Sequence, residues 1–323
     1  MLRMTEPDSK VGFSFSTKDR VDCTLRTLSG LETEGGFDLI WVDGSDTAGG
    51  KALPGSIKPR NFRLVEVHQG VKGGPDGAIR FGLKRLLELG YDYCGLIEND
   101  VLFEPGWYSD LMRLFEVGRE EGLRVGAATV RTIDGRVILY RPQYALMWYM
   151  GASVVLFTKE ATKIILRTYK PTSSLELGAF FKHKLGVDLG DIWELWMDRP
   201  NRSIGCDGAF AMQLYRYGLS SLGTIPAKGR SFDFSIEERF RSRYVEKTLD
   251  AQELSREIQR FGIMVRRLEK IAARRALTST ADYAKLAYMQ AKSMMRKNRA
   301  GRCLLYPMRR VKFLCHKALK GNA

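Results

Sequence analysis

The stretch GLIENDVLFEPGWY, from Gly95 to Tyr108, decides how the rest of the sequence is interpreted. The apolar run Tyr93–Ile97 predicts a buried strand, and it leads directly into two acidic residues one position apart, Glu98 and Asp100. The short loop Glu104–Pro105–Gly106 then precedes an aromatic-led segment that predicts a helix. Strand, acidic turn and helix in this order indicate an α/β sheet.

The sequence before this stretch alternates in the same way. Short apolar runs predict strands, and segments with apolar residues at helical spacing predict helices. The predicted strands are Val11–Ser16, Phe37–Val42 and Phe62–Val67, and the predicted helices are Val21–Leu31 and Asp76–Leu89. Three of the predicted strands, including Tyr93–Ile97, end in polar or acidic residues. Because ligands of open α/β sheets bind at the carboxyl ends of strands, we expect these polar groups to form one site.

Charge divides the chain into two parts. Residues 256–320 contain 18 Lys/Arg and 3 Asp/Glu, whereas the remainder contains 34 of each sign, so the whole net charge of +15 lies in the tail. Beyond Phe234 glycine becomes rare and apolar residues recur at helical spacing. We therefore predict a catalytic domain over residues 1–235 and a basic, amphipathic, α-helical extension over residues 236–323.

Several protein classes are disfavoured by composition. The five cysteines are scattered and have no zinc-like spacing, and no Gly-x-Gly-x-x-Gly follows an early strand as in dinucleotide enzymes. The longest apolar run, Tyr144–Phe157, is shorter than the ~20 residues of a membrane span. The first ten residues do not have the pattern of a signal peptide. We expect a cytoplasmic protein.

The two carboxylates of Glu98 and Asp100 have the chemistry of a divalent metal site. One or two carboxylates, completed by phosphate oxygens, commonly hold Mg²⁺ or Mn²⁺ beside a diphosphate. The alternative is structural, because Asn99–Asp100 also suits a turn that merely ends a buried strand.

Taken together, these segments resemble the GT-A glycosyltransferases over roughly residues 11–232, in particular the large inverting family that includes polysaccharide and cell-surface glycan synthases. The resemblance implies a Rossmann-like, mixed and mostly parallel sheet flanked by helices. It also implies a hexosyltransferase that moves a sugar from a nucleotide-diphosphate sugar to a hydroxyl of a glycan or lipid-linked acceptor. A weak preference for a uridine nucleotide is part of the same expectation.

The resemblance assigns a nucleotide-sugar site to four segments of this chain. They are the loop after the first strand, the VDGSD turn after the second, the GGPDGAIRFGL segment with arginine where asparagine is usual, and the acidic turn itself. The residues implied are Ser16, Thr17, Arg20, Asp43, Asp46, Gly74, Arg80 and Asn99. Ser16 and Asp43 would contact the base, with Asp46 close by.

The family's Asp-x-Asp metal motif corresponds here to Glu98–Asn99–Asp100. Asp100 retains the stricter ligand of that motif, and Glu98 keeps the charge of the other on a longer side chain. The resemblance thus implies a Mn²⁺ or Mg²⁺ ion held by these two residues.

Asp207, in CDGAFAMQLYRYGL, stands where the family places its catalytic base, with Cys206 in place of the usual glutamate. An inverting transferase needs one carboxylate to remove the proton of the acceptor hydroxyl. The alternative is an N-cap, since Asp207 would begin a helix that contains Phe210, Leu214 and Tyr217.

Lys228 and Arg230, in IPAKGRSFD, fall where relatives often carry a loop over the diphosphate. The resemblance implies that they supply positive charge there, and the alternative is a solvated surface.

The basic extension predicts attachment to an anionic membrane surface, at the inner face of the membrane. Nucleic acid offers the same charge, but the tail has few aromatic residues for base stacking, so it is disfavoured as a partner. Two other functions stay open: a sugar-phosphate nucleotidyltransferase, whose Gly-x-Gly-Thr-Arg-like loop is missing after the first strand, and a non-catalytic protein that binds a membrane or nucleic acid through its tail.

Overall fold

A computed structural model describes residues 9–132, 136–151, 153–169, 172–173, 180, 203–204 and 206–232. The helices described are α1 (Val21–Leu31), α2 (Ala48–Ser56), α3 (Gly74–Glu88), α4 (Trp107–Glu120), α5 (Lys159–Arg167) and α6 (Cys206–Arg216). The strands are β1 (Val11–Thr17), β2 (Asp38–Asp43), β3 (Arg63–Gln69), β4 (Tyr93–Glu98), β5 (Val101–Phe103), β6 (Val125–Thr129), β7 (Val137–Arg141), β8 (Tyr144–Met147), β9 (Val154–Thr158), β10 (Thr172–Ser173), β11 (Ser203–Ile204), β12 (Ser220–Gly223) and β13 (Gly229–Ser231).

The central sheet of the described residues has nine strands in the order β3-β2-β1-β4-β9-β6-β12-β8-β7. Strands β3, β2, β1 and β4 are parallel neighbours, and β6 pairs with β12 in parallel. Strand β9 runs antiparallel between β4 and β6, and β8 runs antiparallel to β12 and β7. The expected mixed, mostly parallel and Rossmann-like sheet is therefore confirmed.

Helices cover both faces of this sheet. Apolar side chains of α1 and α4 pack with Phe13 and Trp41 on one face, and those of α3 and α5 pack with Val42 and Leu96 on the other, while α6 contributes to both clusters. Helix α3 lies very close to β1, because a Cβ atom at Gly82 would overlap the Ser14 hydroxyl. The two layers bury most of β1, β2 and β4, whereas the edge strand β3 stays partly exposed.

The elements predicted before residue 98 are all present. Each predicted strand and helix is found with its ends within two residues of the expected positions. The helix expected after Glu104–Pro105–Gly106 begins at Trp107, as its aromatic start suggested.

Helix α2 is an element that the sequence patterns did not predict. Its sequence, AGGKALPGS, combines three glycines with Pro54 and so has low helix propensity. The Thr47 hydroxyl accepts a hydrogen bond from Gly50 N at 3.2 Å and caps the first turn. Local capping thus overrides an unfavourable composition.

Helix α6 is one residue shorter than expected. Tyr217 was predicted to belong to this helix, but the helix ends at Arg216. Gly218 adopts a φ of 74°, and Leu219 N bonds to Leu214 O at 3.0 Å, which is a glycine-terminated helix end.

The predicted basic extension, residues 236–323, lies outside the described residues. Of the helices that the structure describes, none combines the length and apolar character needed to cross a membrane.

Candidate functional site

Three neighbouring parallel strands bring the predicted site residues to one edge of the sheet. Ser16 near the end of β1 lies opposite Val42 of β2 and Glu98 of β4, and Thr17 lies opposite Asp43. The carboxyl ends of β1, β2 and β4 therefore meet at one rim, as the sequence predicted. We call this rim, with the loops that leave it, the carboxyl edge.

Asp43 is the most enclosed acidic residue of this edge, with 1 % of its surface exposed. Its Oδ1 atom accepts hydrogen bonds from Thr17 Oγ1 at 2.9 Å, from Ser45 Oγ at 2.6 Å and from Ser45 N at 3.1 Å. Trp41 Nε1 donates to Thr17 Oγ1 at 2.8 Å and extends the network into the core. Asp43 and Thr17, both expected to contact the nucleotide, thus also hold the carboxyl edge in shape.

The Glu98–Asn99–Asp100 turn sends its side chains in different directions. Asn99, expected among the nucleotide contacts, is buried and donates from Nδ2 to Thr24 Oγ1 of α1 at 2.9 Å. Glu98 and Asp100 are only half-buried, on either side of it. The middle residue of the motif therefore anchors the turn on α1, and the two acids stay near solvent.

Arg20 is a cation that lies beside Asp100 of this turn. Its Nη1 atom lies 3.5 Å from Asp100 Oδ2, and the two side chains are 35% and 27% exposed. A partly exposed pair of this kind is a modest interaction that another ligand can replace. Arg20 is therefore placed to meet an anionic group bound next to Asp100, as expected of a diphosphate-binding residue.

Asp19 is a site residue that sequence reasoning missed. Its Oδ1 atom accepts hydrogen bonds from Asp46 N at 3.2 Å, from Thr47 N at 2.9 Å and from Thr47 Oγ1 at 2.6 Å. These bonds hold the pKa of the Asp19 carboxyl below its ordinary value, with the Thr47 hydroxyl as the main cause. The signal in the sequence was a short polar residue between Thr17 and Arg20, a type that tolerates left-handed backbone.

Asp46, expected near the base, is exposed on the loop after β2. Its carboxylate lies 3.4 Å from Lys18 Nζ, and both side chains are largely in solvent. The pair contributes little to stability, so Asp46 remains accessible at the rim.

Two of the predicted nucleotide-sugar contacts, Gly74 and Arg80, lie on α3, which follows β3 in the chain. Gly73 and Gly74 have φ angles of 100° and 61°, so the loop entering α3 uses backbone that favours glycine. Arg80, one of the expected contacts, is exposed and lies over the ring of Tyr169, 5.9 Å from its centroid. In this structure Arg80 faces the end of α5 and contacts neither acidic residue of the turn.

Lys228 and Arg230 lie on or beside β13, which pairs antiparallel with β5 immediately after the acidic turn. Lys228 Nζ lies 3.0 Å from Pro105 O and 3.6 Å from an oxygen of Asp110, at the start of α4. Arg230 Nε lies 3.8 Å from Glu104. Both cations were expected to supply charge at a diphosphate, yet here they neutralise the acids that follow β5.

Asp207 is the second residue of α6, which places it inside the first turn and not at the N-cap position that the structural alternative requires. Its side chain lies outside the part of the chain that the structure describes.

The donor set at the carboxyl edge suits a metal that is completed by its substrate. Among the described residues, no three His, Cys, Asp or Glu side chains come together as a protein-only cage. Glu98 and Asp100 provide two carboxylates, which is the set that Mg²⁺ or Mn²⁺ uses when phosphate oxygens fill the remaining positions. These two residues therefore fit the ion that the resemblance implies.

A cavity of about 370 Å³ lies at the opposite rim, the amino edge, where the same strands begin. Its polar groups satisfy one another: Arg63 Nε and Nη2 bond to the Asp38 carboxylate at 3.0 and 2.5 Å, and Tyr91 OH donates to Asp38 Oδ2 at 2.6 Å. Burial and the neighbouring carboxylate raise the pKa of Tyr91. Since ligands of α/β sheets bind at the carboxyl ends, we place the functional site at the other edge.

Comparison with known proteins finds similarity of fold alone. No protein-family model matches the sequence, and no curated protein matches it. A crystal structure of S. aureus TarS 1-349 has a TM-score of 0.45 and 10% identity, over 89% of this chain and 80% of that chain. A second crystal structure of S. aureus TarS has a TM-score of 0.43 and 11% identity, over 80% of this chain and 43% of that chain. At these scores the likeness carries no argument about function.

Proposed function

We propose that this protein is a glycosyltransferase that binds a nucleotide-diphosphate sugar at the carboxyl edge. The observation that carries the proposal is the register of β2, β1 and β4, which sets Asp43 opposite Thr17 and Glu98 opposite Ser16 on adjacent strands. Arg20, at 3.5 Å from Asp100, adds a cation to the same rim. Hydroxyl and carboxylate groups suited to a nucleoside thus lie next to acidic and basic groups suited to a metal-bound diphosphate.

The parts of the donor can be assigned to parts of this edge. The nucleoside would lie over the β1 and β2 ends, near Ser16 and Asp43, with Gly74 and Arg80 bordering it. The diphosphate would lie over the β4 end, where Arg20 would donate to its oxygens. Glu98 and Asp100 would hold a Mn²⁺ or Mg²⁺ ion, which neutralises negative charge on the departing diphosphate when bound.

The transfer step needs one further group, which we assign to Asp207. The oxygen of an acceptor hydroxyl forms a bond to the anomeric carbon, and the bond from that carbon to the diphosphate oxygen breaks. The hydroxyl proton passes to the Asp207 carboxylate. Attack from the face opposite the diphosphate inverts the configuration at the anomeric carbon.

Nucleotide binding provides the first test. We expect one of UDP, GDP, ADP and CDP to bind more tightly with Mn²⁺ than without it, as measured by titration calorimetry. Asp100→Ala should abolish the effect of Mn²⁺, because it removes a carboxylate ligand. Glu104→Ala is the matched control, since Glu104 is in the same segment but pairs with Arg230. If no nucleoside diphosphate binds with or without the metal, the proposed function is wrong.

Turnover provides the second test, once a donor and an acceptor are identified by product analysis. Asp207→Asn keeps the size of the side chain and removes the base. We expect donor binding close to that of the natural protein and transfer reduced by about 100-fold or more. Retained transfer would exclude Asp207 as the base, and release of pyrophosphate from a nucleoside triphosphate would instead favour a nucleotidyltransferase.

The acceptor and the location of the reaction are further parts of the proposal. We infer a glycan or lipid-linked acceptor used in cell-surface polysaccharide synthesis, and a basic extension that holds the enzyme at the cytoplasmic face of an anionic membrane. The full chain should sediment with vesicles that contain phosphatidylglycerol, should not sediment with pure phosphatidylcholine vesicles, and should be released by salt. Equal association with both vesicle types would contradict the inference.

A further inference from the structure

Two loops of the carboxyl edge are joined by one carboxylate, that of Asp19. The loop between β1 and α1 contains Asp19, and the loop between β2 and α2 contains Asp46 and Thr47. Three donors of the second loop bond to the single atom Asp19 Oδ1, at distances between 2.6 and 3.2 Å. Because two of these donors are backbone N–H groups, the bonds fix the path of the loop as well as one side chain.

The join also reaches the buried network of Asp43. Asp19 N donates to Ser45 Oγ at 2.8 Å, and Ser45 Oγ donates to Asp43 Oδ1 at 2.6 Å. Asp43 Oδ1 in turn accepts from Thr17, which precedes Asp19 by two residues. These hydrogen bonds, together with the backbone from Thr17 to Asp19, therefore connect both loops with the ends of β1 and β2.

The backbone at this join is held in a conformation that ordinary residues avoid. Asp19 and Arg20 both have a φ of 51°, in the left-handed region. Aspartate tolerates this region better than most residues, whereas arginine does not, so the surrounding bonds must maintain it. Two consecutive left-handed residues turn the chain sharply between the end of β1 and the start of α1.

The turn determines where the Arg20 side chain lies. Helix α1 begins directly after Arg20, and Thr24 N bonds to Arg20 O at 3.0 Å, so the residue is also the N-cap of α1. From this position its guanidinium comes within 3.5 Å of Asp100 on a different loop. A relaxed, right-handed backbone at residues 19 and 20 would direct the side chain elsewhere.

We infer that Asp19 is a positioning residue of the donor site, which acts by holding Arg20 and the loop after β2 in the geometry that receives a nucleoside diphosphate. This inference rests on the proposed function. The Asp19 carboxylate contacts protein donors on the neighbouring loop, and its influence on the ligand is transmitted through that loop and through Arg20.

A double-mutant cycle tests this transmission. The probe is the nucleoside diphosphate that binds the natural protein most tightly in the presence of Mn²⁺, and the measurement is its Kd in the full chain. We expect Asp19→Ala and Arg20→Ala each to weaken binding by about 10-fold. In the double variant we expect a loss clearly smaller than the sum of the two single losses, because part of the effect of Asp19 passes through Arg20.

Two further variants separate the carboxylate from the backbone. Asp19→Gly loses the bonds to Asp46 and Thr47, as Asp19→Ala does, but glycine adopts the left-handed backbone without a steric penalty. The Kd of Asp19→Gly should therefore resemble that of Asp19→Ala. Asp19→Asn retains a side-chain oxygen acceptor and should recover at least part of the affinity. Normal affinity in the glycine variant would assign the effect to backbone strain and overturn the role of the carboxylate.

Glu32→Ala is a matched control that separates a loss of stability from a loss of nucleotide affinity. It lies at the other end of α1, and its carboxylate accepts hydrogen bonds from Arg60 N at 3.1 and 3.2 Å and from Asn61 N at 3.2 Å. Glu32→Ala should therefore lower Tm much as Asp19→Ala does, while the nucleotide Kd stays unchanged.

The outcomes distinguish this inference from the proposed function. If the natural protein binds no nucleoside diphosphate, the proposed function and the inference both fail. If the natural protein binds and Arg20→Ala weakens binding, but Asp19→Ala leaves Kd unchanged, only the inference fails. Strictly additive losses in the double variant, or an equal loss of affinity in Glu32→Ala, would likewise overturn it.

Discussion

Strand β2 begins and ends in an aspartate, and the two aspartates have opposite surroundings. Asp38, at the amino edge, forms a complete set of interactions with Arg63 and the Tyr91 hydroxyl. Asp43, at the carboxyl edge, accepts hydrogen bonds from hydroxyl and amide donors. The Arg20–Asp100 ion pair lies at the same rim. The same residue type therefore closes the amino edge by pairing with a cation and a phenol, and at the carboxyl edge holds the loops beside the half-buried Glu98 and Asp100.

This difference indicates how charge is divided between stability and binding. At the amino edge Asp38 is matched by Arg63 and by the Tyr91 hydroxyl, and these three residues line the 370 Å³ cavity there. At the carboxyl edge Glu98 and Asp100 are half-buried, and Arg20 lies 3.5 Å from Asp100. A cavity by itself is thus a poorer guide to function here than the position of half-buried carboxylates.

The largest expected effect is on the buried acid of the carboxyl edge. Asp43→Ala leaves the hydroxyls of Thr17 and Ser45 and the Ser45 amide without their shared acceptor. We expect a loss of about 3 kcal/mol in the free energy of unfolding, together with weaker nucleotide binding. Asp43→Asn keeps an acceptor oxygen and should recover most of the stability in urea denaturation. Full stability in the alanine variant would show that the network is dispensable.

Asp38→Ala should separate stability from binding at the amino edge. The substitution leaves the buried Tyr91 hydroxyl without its acceptor, which costs about 1–3 kcal/mol. We expect nucleotide affinity close to that of the natural protein, because the change is at the opposite rim. A marked loss of affinity, measured by calorimetry on protein shown to be folded, would break the distinction between the two edges.

Arg20→Ala should change metal and nucleotide binding in opposite directions. Removing the guanidinium takes away the positive charge 3.5 Å from Asp100, so Mn²⁺ alone should bind several-fold more tightly. The nucleoside diphosphate should bind about 10-fold more weakly, since it loses a charge-assisted donor. Electron paramagnetic resonance of Mn²⁺ reports the first quantity. Unchanged Mn²⁺ affinity would show that the ion pair does not compete with the metal.

The smallest expected effect is a pH dependence on β3, away from both edges. Arg85, with help from His68, lowers the pKa of Glu66 from its ordinary 4.5 to about 2. A depressed pKa stabilises the folded protein above pH 4.5, and this contribution is lost as the pH falls from 4.5 toward 2. The Tm difference between the natural protein and Glu66→Gln should therefore shrink over that range. A constant difference would contradict the assignment.

Much of the fold could be predicted because its signals are local. Strands β1, β2 and β4 are largely apolar runs followed by polar residues, β3 alternates exposed and partly buried residues, and α1 and α3 carry apolar residues at helical spacing. Helix α2 could not be predicted, because the Thr47 cap competes with three glycines and Pro54. The antiparallel positions of β8 and β9 depend on contacts between distant segments, which no local pattern contains.

The candidate site divides in the same way. Residue types at strand ends placed Ser16, Asp43, Glu98 and Asp100 together, because parallel strands share an edge. The partners of the side chains were not predictable: Asn99 turns to Thr24, and Lys228 turns to Pro105 and Asp110. The role of Asp19 was missed because its bonds go to a loop 27 and 28 residues away in the chain.

The reversed strand β9 has a consequence for how this edge can diversify. Because β9 runs opposite to β4, its first residues lie beside the last residues of β4, and Glu98 N bonds to Ser153 O at 2.8 Å. The segment that enters β9 therefore borders the same rim as the segments that leave the parallel strands. Substitutions in that entering segment can reshape the ligand's surroundings while the acidic turn keeps its backbone support, so recognition and chemistry can evolve on separate pieces of chain.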